Sequence, residues 1–132
     1  MPQKKPEPRY TIEVSESQLL LIANCVEDCH RFLGGQTELF NTCACLEHYR
    51  KLRVKLEDLK PLVTPELPLH SYYGWDGGTC PNKAQRIRMA KTYAIYREIY
   101  HQLNIINNID NVYTSPTLTC DEGGELPIIK KL

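Results

Sequence analysis

The sequence predicts an α+β domain in which three main helices, an antiparallel helical hairpin plus one long helix, pack against a small antiparallel sheet. Three observations carry that expectation. Apolar residues recur at helical spacing over three long stretches, separated by Gly34-Gly35 and by the proline-bearing stretch 61–82. Residues 9–14, RYTIEV, alternate polar and apolar as a strand does. The tail carries two more strand-like pieces, Leu118–Asp121 and Leu126–Lys130, with Gly123-Gly124 between them as in a hairpin.

Residues 1–8 are rich in proline and lysine and read as a flexible N-terminus, leaving 9–132 as a single α+β domain. The whole chain of 132 residues is enough for one core and too short for two. After the RYTIEV strand, Ser15 and Gln18 form a capping box, so the first helix is expected over Glu16–Leu33. Its core face is Leu19, Ile22, Val26, Cys29 and Leu33, widened by Leu21, Cys25 and Phe32. Glu27 and Arg31 form an i,i+4 pair on the opposite face, and Gly34-Gly35 ends the helix. The second helix is expected from Glu38 to Lys60, with Cys45, Leu46, Tyr49, Leu52, Leu56 and Leu59 as its apolar stripe. Arg50, Lys51, Lys55 and Lys60 then form a solvated charged face. A short link makes these two helices an antiparallel hairpin.

The third helix is expected over Lys83–Ile106, started by Pro81 and Asn82. At about 100° per residue, Met89, Tyr93, Tyr96, Tyr100 and Leu103 share one apolar face, and Thr92, Ile95, Ile99 and Ile106 flank it. Lys83, Arg86, Ala90 and Arg97 fall on a separate polar stripe. Arg88 projects on the apolar side, where a charge needs a partner: an acid such as Asp76 or Asp28, or a ligand. The tail hairpin is expected to pair with RYTIEV, with Pro127 restricted to an edge.

Composition limits the function. Lys+Arg and Asp+Glu both number 16, a balance that argues against coating duplex nucleic acid. Hydrophobic residues make up 42%, which argues against disorder in the body of the chain. No apolar run approaches the length of a membrane span, and the start MPQKKPEPRY lacks an apolar signal core. Both point to the cytoplasm, where the 6 cysteines are expected as thiols rather than a disulfide framework.

The most informative stretch for function runs from His70 to Tyr100. Tyr72, Tyr73 and Trp75 crowd beside Gly77 and Gly78, and Lys83, Arg86 and Arg88 follow at the start of a helix. Aromatic faces stack flat rings, glycines admit close backbone, and a helix N-terminus with cations suits an anion. Together they are candidates for holding a small anionic, nucleotide-like ligand. The plainer alternative is a surface loop whose aromatics cover the core and whose cations are solvated. The length of the 61–82 segment, unusual for a structureless connection, lends separate support to function.

Two other constellations compete. Cys25 and Cys29 lie one turn apart, and Cys45 and His48 are spaced i,i+3, so two helices can offer four zinc ligands. The three cysteines also fit as small apolar residues of the core stripes. Cys80, beside a helix start and near His70 in sequence, is a candidate nucleophile. No Walker loop, GxGxxG, HExxH or GxSxG occurs.

The phrases NCVEDCHRFLGGQTELFNT, LVTPELPL, CPNKAQR, TYAIYREIY and SPTLTCDEGGEL resemble small proteins of bacteriophages and prophages of gut Bacteroidota, from Tyr10 onward. The resemblance implies an accessory protein in a bacterial host and brings no assigned activity or site residue. The combined expectation is a non-enzymatic protein that sequesters a nucleotide-like ligand, without cofactor and with a homo-oligomer as a plausible state. A protein–protein module that inhibits a host protein or serves as a minor structural component is the alternative, because Tyr, Trp and Arg also anchor interfaces. A small zinc- or cysteine-dependent enzyme is the third.

Overall fold

The computed structural model describes residues 6–132; the expected flexibility of residues 1–8 falls in part on residues 1–5, outside the described ones. Five helices follow in order: α1 Glu16–Leu33, α2 Phe40–Cys43, α3 Tyr49–Asp58, α4 Lys60–Val63 and α5 Lys83–Asn107. Two 3-10 turns, Val112–Thr114 and Asp121–Gly123, come after α5.

The expected sheet is not there. Among the described residues no strand forms, so the fold is all-helical with long irregular segments rather than α+β. The physical reason is visible in each piece. RYTIEV stays out of the core, with Tyr10 and Ile12 both strongly exposed, so its alternation buries no face. In the tail, Asp121–Gly123 closes a 3-10 turn instead of a hairpin. Among the described residues, RYTIEV is tied to the tail by a side-chain pair, Arg9 to Glu125 at 2.8 Å.

The core is an antiparallel pair of α1 and α5. α1 is held at its start by the expected capping box: the Ser15 hydroxyl accepts from the Gln18 N–H, and the Gln18 side chain accepts from the Ser15 N–H. The pairing direction follows from three bonds along the seam. Asn107 donates to Glu16, the Tyr100 hydroxyl donates to Asn24, and His30 donates to the Met89 carbonyl. Ala23, Tyr93, Tyr96, Ile99 and Leu103 form the main apolar cluster, with Leu19, Ile22, Val26 and Trp75 packed on it. Burying one such large side chain contributes about 1.5–3 kcal/mol. Tyr73, Cys80 and Met89 form a second cluster with Leu33 and Leu67.

α1 therefore turns its buried face toward Ala23, Glu27, Asp28 and His30. Cys29, expected in the core, is exposed. Glu27 and Arg31 do pair at 3.2 Å, but Glu27 lies on the buried side and not on the outer one.

The second expected helix is broken into α2, a turn, α3 and α4. The break starts at Leu39, whose φ of 49° is left-handed and which caps α2 with no side chain of its own. Asp28 caps it from α1 instead: its carboxylate accepts from the N–H groups of Asn41 and Thr42 and from the Thr42 hydroxyl. That acid at a helix start also suits the local dipole. The partner of α1 is thus α5, and the expected α1–α2 hairpin does not form. Lys60, expected to face out, is buried and donates to Thr64 at 2.9 Å.

α5 starts at Lys83 under its cap Asn82, whose side chain accepts from the Gln85 N–H. From Arg86 to Arg97 its supposed polar stripe is covered, because the tail runs back along it, while Lys83 stays exposed. Arg97 donates to the carbonyls of Val112, Tyr113 and Ser115, Thr117 donates to Glu98, and Arg86 grips Glu122. Gly123 passes so close that a Cβ there would sit 3.2 Å from the Ala90 carbonyl oxygen. The tail is a strap, tied by side chains where a hairpin was expected.

Candidate functional site

The aromatic loop does not assemble one pocket. The Tyr73 N–H donates to the Gly34 carbonyl, which pulls the Tyr73 ring into the second apolar cluster. Trp75 packs on Tyr93, with centroids 4.8 Å apart and the ring planes tilted by 41°. Tyr72 alone of the three is on the surface, 61% exposed. Gly77 is required for packing: its φ is +88°, and a Cβ there would stand 2.5 Å from Arg86 Cγ. Gly78, also left-handed, donates its N–H to Asp76 in a tight turn.

The cations separate in the same way. Arg86 is occupied: Nε and one terminal nitrogen hold the Glu122 carboxylate and the other donates to the Cys80 carbonyl. Lys83 and Arg88 are exposed. Arg88 therefore needs no buried partner; Asp76 holds Gly78 and Asp28 holds α2. Of the eight residues singled out around this loop, Tyr72, Gly78, Lys83 and Arg88 face solvent, while Tyr73, Trp75, Gly77 and Arg86 hold the fold together.

Cys25, Cys29, Cys45 and His48 are all exposed, and among the described residues no group of three or more His, Cys, Asp or Glu side chains is placed to hold a metal. The break before α3 turns Cys45 toward the Thr42 carbonyl, 3.5 Å away. Cys80 is buried, with its thiol directed to the Asn82 carbonyl.

A different polar centre lies between α1, α2 and the turn after α5. Glu27, almost fully buried, accepts from Asn41 at 2.7 Å and from Arg31, and shares the single proton of the Tyr100 hydroxyl, 3.2 Å away, with Asn24. Burial, then the Glu27 carboxylate, pushes the Tyr100 phenol well above its ordinary range. Tyr113 is raised by the same two causes in the same order. An open cleft of about 490 Å³ sits over this centre, walled by Arg31, Phe40, Tyr49 and Arg53. Glu27, Asp28 and Glu38 also line it, so its acids outnumber its two arginines and an anion is not favoured there. No buried side-chain nitrogen or oxygen among the described residues lacks a partner, so the centre is complete without a ligand. Sequence reasoning missed it. The available signal was an acid pair, Glu27-Asp28, inside an apolar helix.

The remaining unusual surface is α3. None of its ten residues is buried. Val54 is 58% exposed, and Leu46, Leu59 and Leu62 beside the helix are exposed as well. Arg50, Lys51, Arg53 and Lys55 lie on the same short helix.

Comparison with protein-family models, curated proteins and solved structures finds no match to this chain. No helix among the described residues is long and apolar enough to cross a membrane.

Proposed function

We propose that this chain is a non-enzymatic protein-interaction module whose contact surface is the arm from Leu39 to Val63, centred on α3. One observation carries the reading. α3 is an amphipathic helix with no fully buried residue: Tyr49, Leu52 and Leu56 are only half-covered and Val54 is exposed, whereas α1 and α5 are packed and polar-satisfied. Helical stability in proteins comes mostly from packing an apolar face, so a ten-residue helix whose apolar face is only half-covered gains from a partner. Exposed Phe40, Leu46, Val54, Leu59 and Leu62 supply the apolar contact. A phage-type accessory protein, working in the bacterial cytoplasm as a minor structural component or an inhibitor of a host protein, fits this role.

Sequestration of a small anionic ligand has weaker support, because only Tyr72, Gly78, Lys83 and Arg88 of its expected site remain exposed. The test compares two variants of the purified chain. Val54→Glu with Leu62→Glu is expected to abolish association with any protein partner while leaving thermal stability unchanged. Tyr72→Ala with Arg88→Ala is expected to leave association intact. The reverse pattern, with a nucleotide-sized ligand lost from the second variant, overturns the proposal.

A further inference from the structure

The outward face of α3 is self-complementary. At about 100° per residue, Arg50, Lys51, Val54, Glu57 and Asp58 fall within one arc of about 120°. All five are exposed. The positive pair stands one turn before Val54 and the negative pair one turn after it. Among the described residues, none of these four charged side chains makes an ion pair or a side-chain hydrogen bond within its own chain. Arg53 and Lys55 lie off the arc, on its two flanks.

Two such helices laid antiparallel and centred on Val54 match at every position. Arg50 of one copy stands opposite Glu57 of the other, Lys51 opposite Asp58, and Val54 opposite Val54. Two-fold symmetry repeats each pair, which is the condition for a closed contact between identical patches. A surface offering only negative charge, such as an anionic lipid or a nucleic-acid backbone, would meet Glu57 and Asp58 as repulsion. A second copy meets them with Arg50 and Lys51.

We infer that the partner of α3 is a second copy of this chain, docked antiparallel through Arg50, Lys51, Val54, Glu57 and Asp58. The inference rests on the reading of α3 as a contact surface and names its occupant. A ten-residue helix is about 15 Å long, short of the roughly 800 Å² per partner of a standard interface. The dimer is therefore weak and concentration-dependent, and salt screens its exposed ion pairs.

Sedimentation equilibrium across a broad concentration range tests it at low and high salt. The unaltered chain is expected to dimerise, less so at high salt. Lys51→Glu sets like charges opposite each other twice per dimer and is expected to weaken association at least about tenfold. The swap Lys51→Glu with Asp58→Lys is expected to restore association to within about threefold. Because all these side chains are exposed, folding is unaffected, and circular dichroism checks that. A monomer at every concentration, or a swap as weak as the single variant, overturns the dimer. If the chain is monomeric but Val54→Glu with Leu62→Glu still abolishes binding to another protein, the contact-surface reading stands and only its occupant changes. If those variants alter neither association, both fall.

Discussion

Glu27 is the residue on which most local order depends. One carboxylate joins α1 to α2 through Asn41, to α5 through Tyr100, and to its own helix through Arg31. Hydrogen bonds to a charged group contribute about 1.5–3 kcal/mol each, and leaving their partners unsatisfied costs a similar amount. Glu27→Gln should therefore lower unfolding free energy by about 1.5–3 kcal/mol by denaturant titration; a loss under about 0.5 kcal/mol would refute the hub. His30 offers a second test at this scale. Burial, helped by Arg31, lowers its pKa below 6.5 against the opposing pull of the Met89 carbonyl and Glu27. The folded chain thus keeps this imidazole neutral while the unfolded chain protonates it, so stability falls as pH drops below about 6.5. His30→Gln should flatten that slope between about pH 6.5 and 5, whatever it does to stability at pH 7.5. Gly77→Ala should cost more than about 1 kcal/mol, because the left-handed φ and the Arg86 backbone both oppose a Cβ.

Among the elements, local signals predicted helix ends well. The Ser15–Gln18 box and the Asn82 cap act within one turn, so the starts of α1 and α5 are legible at Glu16 and Lys83. The break at Leu39 was not legible, because its cause is Asp28 on another helix. The sheet was misread for a related reason: alternation in RYTIEV describes a face that finds nothing to cover, and Arg97, Glu98 and Arg86 tie the tail to α5 instead. The inward turn of four of the eight candidate residues was not legible, because aromatic residues beside glycines look alike whether they face a ligand or the core. Only the Tyr73–Gly34 bond and the Trp75–Tyr93 contact decide between those. At this scale α3 gives the sharpest expectation. Val54→Glu should shift unfolding free energy by no more than about 0.5 kcal/mol, as for a surface change. A loss above about 1 kcal/mol would show that α3 is packed against its own chain.

The whole molecule divides into a packed α1–α5 body strapped by the tail and an arm that has surface to spare. That division is the central claim, and it separates a protein-binding role from a ligand-binding one. Native mass spectrometry of the chain purified from a bacterial host, before and after gentle heating, tests it most directly. The account predicts a chain that carries protein mass, a second copy or another polypeptide, and releases no small molecule. A monomer that releases a nucleotide-sized mass on heating, lost on Tyr72→Ala with Arg88→Ala, would contradict it and return the function to the aromatic loop.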